Sequence, residues 1–133
     1  MSDTARTSIL LIEHDHLTLR VLSGILSSAG FDVIPTSSPM GLVEILPLID
    51  VVLCSYDMPY VMTDVVRSMK KSRPDIPIYM SSVTAHHELT EEVLRHTTGY
   101  LKRPLRMEYV QQFIAEVTSL SAQDKADPMK GAA

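Results

Sequence analysis

Five short apolar runs, each followed by a stretch with helical patterning, constrain this chain more than any single residue does. The runs are SILLIE (8–13), FDVIPT (31–36), DVVLCS (50–55), IPIYMSS (76–82) and YLKR (100–103). After the first run, Leu19, Leu22, Ile25, Leu26 and Ala29 recur at helical spacing, and Gly30 offers a stop. SSPMGLVEIL places Ser38 as an N-cap and Pro39 at the first helical position, with Gly41 keeping that helix short. Val65, Val66 and Met69 share a face of TDVVRSMKKSRPD, whose Lys70, Lys71 and Arg73 favour the negative end of the helix dipole. HELTEEVLRHTTG reads as a polar helix from about Glu88, and Met107, Val110, Phe113, Ile114 and Val117 form a last apolar stripe. Strand and helix alternating in this way predict an α/β protein, an open parallel sheet covered on both sides. DVVLCS is continuously apolar, the pattern of a strand buried on both faces.

The 133 residues suit one domain. A net charge of -4 argues against a surface for polyanions, so nucleic acid is not expected as a direct partner. The opening MSDTARTS is polar and the following ILLI is too short for a signal core or a span, so a cytoplasmic location without a membrane is expected. Cys54 is the only cysteine and reads as a small buried hydrophobe. The closing SAQDKADPMKGAA has little to bury and is expected to fray.

In open α/β sheets the functional groups gather at the carboxyl ends of the strands. Here those ends carry Glu13, His14 and Asp15, then Ser55 to Pro59, then Ser81 to Thr84, then Lys102 to Pro104. With LLIEHD, SYDMP, YMSS and GYLKRPL in this order and spacing, the chain resembles the receiver domain of bacterial response regulators from about Ser8 to Ser121. The resemblance implies a three-layer (βα)5 flavodoxin-like fold with a five-stranded parallel sheet in the order 2-1-3-4-5. It also implies a receiver domain over 8–121 with flexible termini at 1–7 and 122–133, serving two-component phosphorelay signalling.

Receivers take a phosphoryl group from a phosphohistidine onto an aspartate at the end of strand three. Two acidic residues after strand one hold Mg²⁺, while a hydroxyl on strand four and a lysine on strand five bind the phosphoryl oxygens. By resemblance the acceptor position falls on Ser55, the acidic pair on Glu13 and His14, the hydroxyl on Ser82, the lysine on Arg103, and the switching aromatic ring on Tyr100.

The departures matter chemically. A serine hydroxyl needs a base to become a nucleophile, whereas a carboxylate is already ionised. Histidine suits zinc, copper or nickel better than magnesium, so Mg²⁺ binding is expected to be weak or absent, with no other cofactor. Arginine keeps the charge of lysine but offers a planar fork instead of a compact ammonium. YVMTD, after Pro59, reads as a loop one residue short that lacks the glycine usual there.

The expectation is a degenerate receiver, or pseudo-receiver: not an enzyme, but an interaction module read by a protein partner or output domain. Its contact face would be helix four, strand five and helix five, with Arg95, Leu101, Lys102, Tyr109 and Gln112 as contact residues and a homodimer as a further option. Two alternatives stand beside it. Asp57 could take over as phosphoryl acceptor, or His14 with Glu13, Asp15 and Asp57 could sense a metal or pH. The plainer reading of the remnant acids is that His14 and Arg103 pair with them and close the pocket. His86 and His87 are expected to be solvated at a helix start.

Overall fold

Period-two alternation along five strands sorts the apolar side chains into two cores, one on each face of a sheet. The computed structural model describes residues 6–38, 40–55, 59–82 and 91–126, and within them not the side chains of 59–61, 82 and 121–126. The elements are β1 (Ser8–Ile12), α1 (His16–Ser28), β2 (Asp32–Thr36), α2 (Leu42–Ile45), a 3₁₀ turn (Leu46–Leu48), β3 (Val51–Ser55), α3 (Pro59–Ser72), β4 (Ile78–Ser82), α4 (Glu91–His96), β5 (Gly99–Lys102) and α5 (Met107–Ala126). All strand pairs are parallel, in the order β2-β1-β3-β4-β5, as the resemblance implies.

Ile9, Leu11, Val51, Leu53, Tyr79 and Leu101 face one way and pack on α1 and α5 through Leu22, Leu26, Val110, Phe113 and Val117. Leu10, Ile12, Val52, Cys54, Ile78 and Met80 face the other way and meet Leu42, Met62, Val66, Met69 and Val93. Each fully buried Leu or Ile contributes about 1.5–3 kcal/mol relative to an exposed one. β3 is buried along its whole length, and burial pushes the Cys54 thiol well above its ordinary pKa. Gly99 serves a close approach: a Cβ there would lie 2.7 Å from the ring of Tyr79, which meets Phe113 edge-on at 5.1 Å.

Several local expectations are corrected. Ser38 does not cap α2; its Oγ accepts from the Met40 N–H, and the N-cap is Gly41 in the left-handed region. The serine closes a tight side-chain turn, and the glycine, free of Cβ strain, resets the chain direction. Pro39 lies outside the described residues. YVMTD is not a loop, because α3 begins at Pro59, where a residue without an N–H costs the first turn nothing. Ala29 and Met107 are exposed, at the ends of their helices, where the apolar stripe has run out of sheet to cover. Residues 122–126, expected in a flexible terminus, continue α5, since backbone hydrogen bonds can propagate through QDKA without an apolar face. The expected start of α4 near Glu88, with His86 and His87, lies outside the described residues.

Two guanidinium groups fasten the face formed by α2, α3 and α4. Arg67 donates to both oxygens of Glu92, at 2.5 and 2.6 Å, and to Asp64 at 3.0 Å, tying α3 to α4. This hydrogen bonding holds the Glu92 carboxyl below its usual range. Arg73 donates to the carbonyls of Leu46 and Ile49 at 2.7 and 2.5 Å, satisfying acceptors where the 3₁₀ turn ends.

At the start of α1, Asp15 accepts from the Thr18 N–H at 2.9 Å and the Thr18 hydroxyl at 2.6 Å. These bonds hold its carboxyl below the ordinary carboxylate range. A lowered folded pKa contributes stability above the unfolded pKa and loses it as pH falls through the folded one. Asp15→Ala should therefore lower Tm by a few degrees at neutral pH, and Asp15→Asn by less. The gap between wild type and the alanine variant should close on acidification below the normal aspartate range, as read by calorimetry across pH.

Candidate functional site

Glu13 follows β1 directly and is anchored by its N–H donating to the Thr36 carbonyl at 3.0 Å. It continues the face of Ile9 and Leu11, and its side chain is 1% exposed. Ser55 ends β3 and is buried, one step beyond the pairing of Ile12 with Cys54. Ser55 pairs in register with Ser81, which is buried as well. Arg103 follows β5, two residues after the buried Leu101, with a side chain 13% exposed. Alternation thus puts Glu13, Ser55, Ser81 and Arg103 on one side of the sheet at its carboxyl edge.

The Arg103 guanidinium joins two of them, Ser81 and Glu13. Its Nε donates to the Ser81 hydroxyl at 2.9 Å, and its Nη2 forms a short ion pair with Glu13 Oε1. Since β3 lies between β1 and β4, a group bonded to Glu13 and Ser81 spans the end of β3, where Ser55 stands. The other oxygen of Glu13, Oε2, accepts from the Asp15 N–H at 3.1 Å and lies 3.5 Å from His14 Nδ1. Among the described residues, no buried side-chain nitrogen or oxygen lacks a hydrogen-bond partner.

The predicted residues fall out as follows. Glu13, Ser55 and Arg103 are brought together. His14 is half-exposed at the rim, and Asp15 is exposed and serves the helix cap. Asp57 lies outside the described residues, as does the side chain of Ser82. A strand-four hydroxyl that engages the cluster is that of Ser81, the neighbour of the predicted Ser82. The missed signal was parity: Ser81 is two residues after Tyr79, whose side chain shares the core of Leu53 and Leu101. Tyr100 is half-buried against the opposite core, and burial pushes its hydroxyl pKa up while a hydrogen bond with Thr97 acts the other way.

On the predicted contact face, Leu101 is a core residue, 1% exposed, and is removed from the surface. Lys102 and Arg106 sit over the Tyr109 ring, 5.7 and 5.9 Å from its centre, which gives that face a cation–π cluster.

A receiver-type site would hold Mg²⁺ through carboxylate oxygens. Among the described residues the donor set does not fit. Both Glu13 oxygens are engaged, Asp15 caps its helix, and a guanidinium already supplies positive charge between them. Among the described residues, no group of three or more His, Cys, Asp or Glu side chains could hold a metal ion. No helix there is long and apolar enough to cross a membrane.

No family model and no curated protein sequence matches the chain. Solved structures do. A receiver domain protein (CheY-like) from Methanospirillum hungatei superposes with a TM-score of 0.77 at 20% identity, over 92% of this chain and 100% of that one. The signal receiver domain of an HD domain-containing protein from Pseudomonas fluorescens gives 0.78 at 14% identity, covering 95% and 96%. A response regulator from Thermotoga maritima gives 0.74 at 17% identity, covering 86% and 99%. At these identities the likeness establishes a shared fold.

Removing one partner of a buried ion pair leaves the other desolvated and unpaired, at a cost of about 3–5 kcal/mol. Arg103→Met should destabilise the protein by that amount in urea titrations. Adding Glu13→Gln to it should recover most of the loss, so that in the double-mutant cycle the two changes together cost much less than the sum of the single ones.

Proposed function

We propose that this chain is a receiver-type module of bacterial two-component signalling that phosphorylation at the usual position does not switch, and that it acts by presenting a fixed surface to a protein partner. The fold shared with receiver domains supports the first half. One observation carries the second: the Arg103 guanidinium is bonded to Glu13 and Ser81 across the end of β3, where Ser55 replaces a carboxylate.

Phosphoryl transfer to a receiver is chiefly positioning and charge neutralisation, with a metal ion offsetting the phosphoryl charge. In this chain each part is diverted. Ser55 offers a neutral hydroxyl with no ionised oxygen for attack. Glu13 is spent on Arg103 and on the Asp15 N–H. The space at the strand end is taken by a side chain that cannot leave without stranding a buried carboxylate. The module is therefore not an enzyme in this reading. Its output rests on the surface of α4, β5 and α5, where the exposed Lys102 and Arg106 sit over the half-buried Tyr109 ring.

Amide spectra recorded with Mg²⁺ and then beryllofluoride, which mimics a phosphoryl group on a carboxylate, test the reading. No movement is expected at residues 13–15, 55, 81 and 103. Concerted shifts there and at Tyr100 would overturn it and point to Asp57 as acceptor. Ser55→Asp alone should remain unlabelled by acetyl phosphate, since the new carboxylate would meet Arg103 and no metal. Labelling should appear when His14→Asp and Arg103→Lys are added.

A further inference from the structure

Helices α1 and α5, of 13 and 20 residues, cover one face of the sheet. Opposite them α2 has a single turn of four residues, entered through the left-handed Gly41. At about 1.5 Å of rise per residue it is too short to cover the flank of α3. A groove of about 290 Å³ remains between the two. Leu42, Val65 and Met69 give it an apolar lining, and Glu44 and Asp64 line it as well, with no basic side chain among the lining residues.

The segment beside the groove is unusually apolar for a surface. Met40, Val43 and Leu48 are 83%, 45% and 72% exposed, half of the large exposed apolar side chains among the described residues. Of these, Val43 lines the groove itself, and Met40 and Leu48 flank it in sequence. Charge narrows the occupant. Glu44 is exposed and makes no ion pair among the described residues. Asp64 is 74% exposed and shares Arg67 with Glu92. A second copy joined through the same patch about a two-fold axis would set acids against acids. Nucleic acid and anionic lipid meet the same repulsion.

We infer that the groove between α2 and α3 docks a short apolar peptide segment of a protein partner, one that carries lysine or arginine beside its apolar residues. The site stands apart from the face of α4, β5 and α5, and it does not depend on the state of the strand-end pocket.

The test uses the full chain, isotope-labelled, titrated with a synthetic amphipathic peptide of leucine and lysine and with a matched peptide bearing glutamate for lysine. Shifts are expected at residues 41–46 and 64–69 with the basic peptide only. Glu44→Lys and Val43→Ser should each raise its Kd about fivefold. Both are exposed positions, and the variants' own spectra report whether they fold. No shifts at saturating peptide, shifts centred on α1 or α5, or an equal response to the acidic peptide would overturn the inference. The result is separable from the beryllofluoride titration, because either site can respond while the other stays silent.

Discussion

The buried pair between Glu13 and Arg103 governs the carboxyl edge of this sheet. It joins the end of β1 to the end of β5 across the two strands between them, using Ser81 as an intermediate support. A carboxylate almost wholly removed from water calls for a counter-charge and hydrogen bonds, and the guanidinium supplies both. Everything else at the edge follows from that arrangement. Asp15 is left to cap α1, His14 stays at the rim, and Ser55 is buried at the end of β3 without contributing charge.

Among the described residues, arginine reaches several acceptors at once in three settings. Arg103 reaches a carboxylate and a hydroxyl, Arg67 forks onto Glu92, and Arg73 reaches two backbone carbonyls. The common requirement is several donors held in a fixed plane, which a lysine ammonium does not provide. Arg67 and Arg73 both bear on the side of the sheet where α2 is short, replacing with directional bonds some of the cover that apolar packing gives the opposite side.

Much of this was legible in the sequence, for reasons that can be traced. Strand and helix periods differ, so the five runs and the stripes of α1 and α5 identify the fold before any contact is known. The pairing of Arg103 with a leftover acid was legible too, because a cation and a carboxylate at neighbouring strand ends seldom stay apart. The part taken by Ser81 was not, since it depends on which face the residue takes, and a shift of one position reverses the face. Leu101 was misplaced for the same reason. The entry to α2 depended on a serine that bonds back to its own turn, a local competition that leaves no periodic trace.

An arginine side chain keeps its charge at any pH a folded protein meets, and the pair it forms here is shielded from solvent. Under the proposed reading, that permanence changes how the molecule can carry information. A receiver with a labile phosphoryl group reports the recent past, and its message decays with the anhydride. A domain sealed by a guanidinium has no such clock. What it can vary is its own abundance and the company it keeps, so its signal would last as long as the polypeptide itself and end with its turnover.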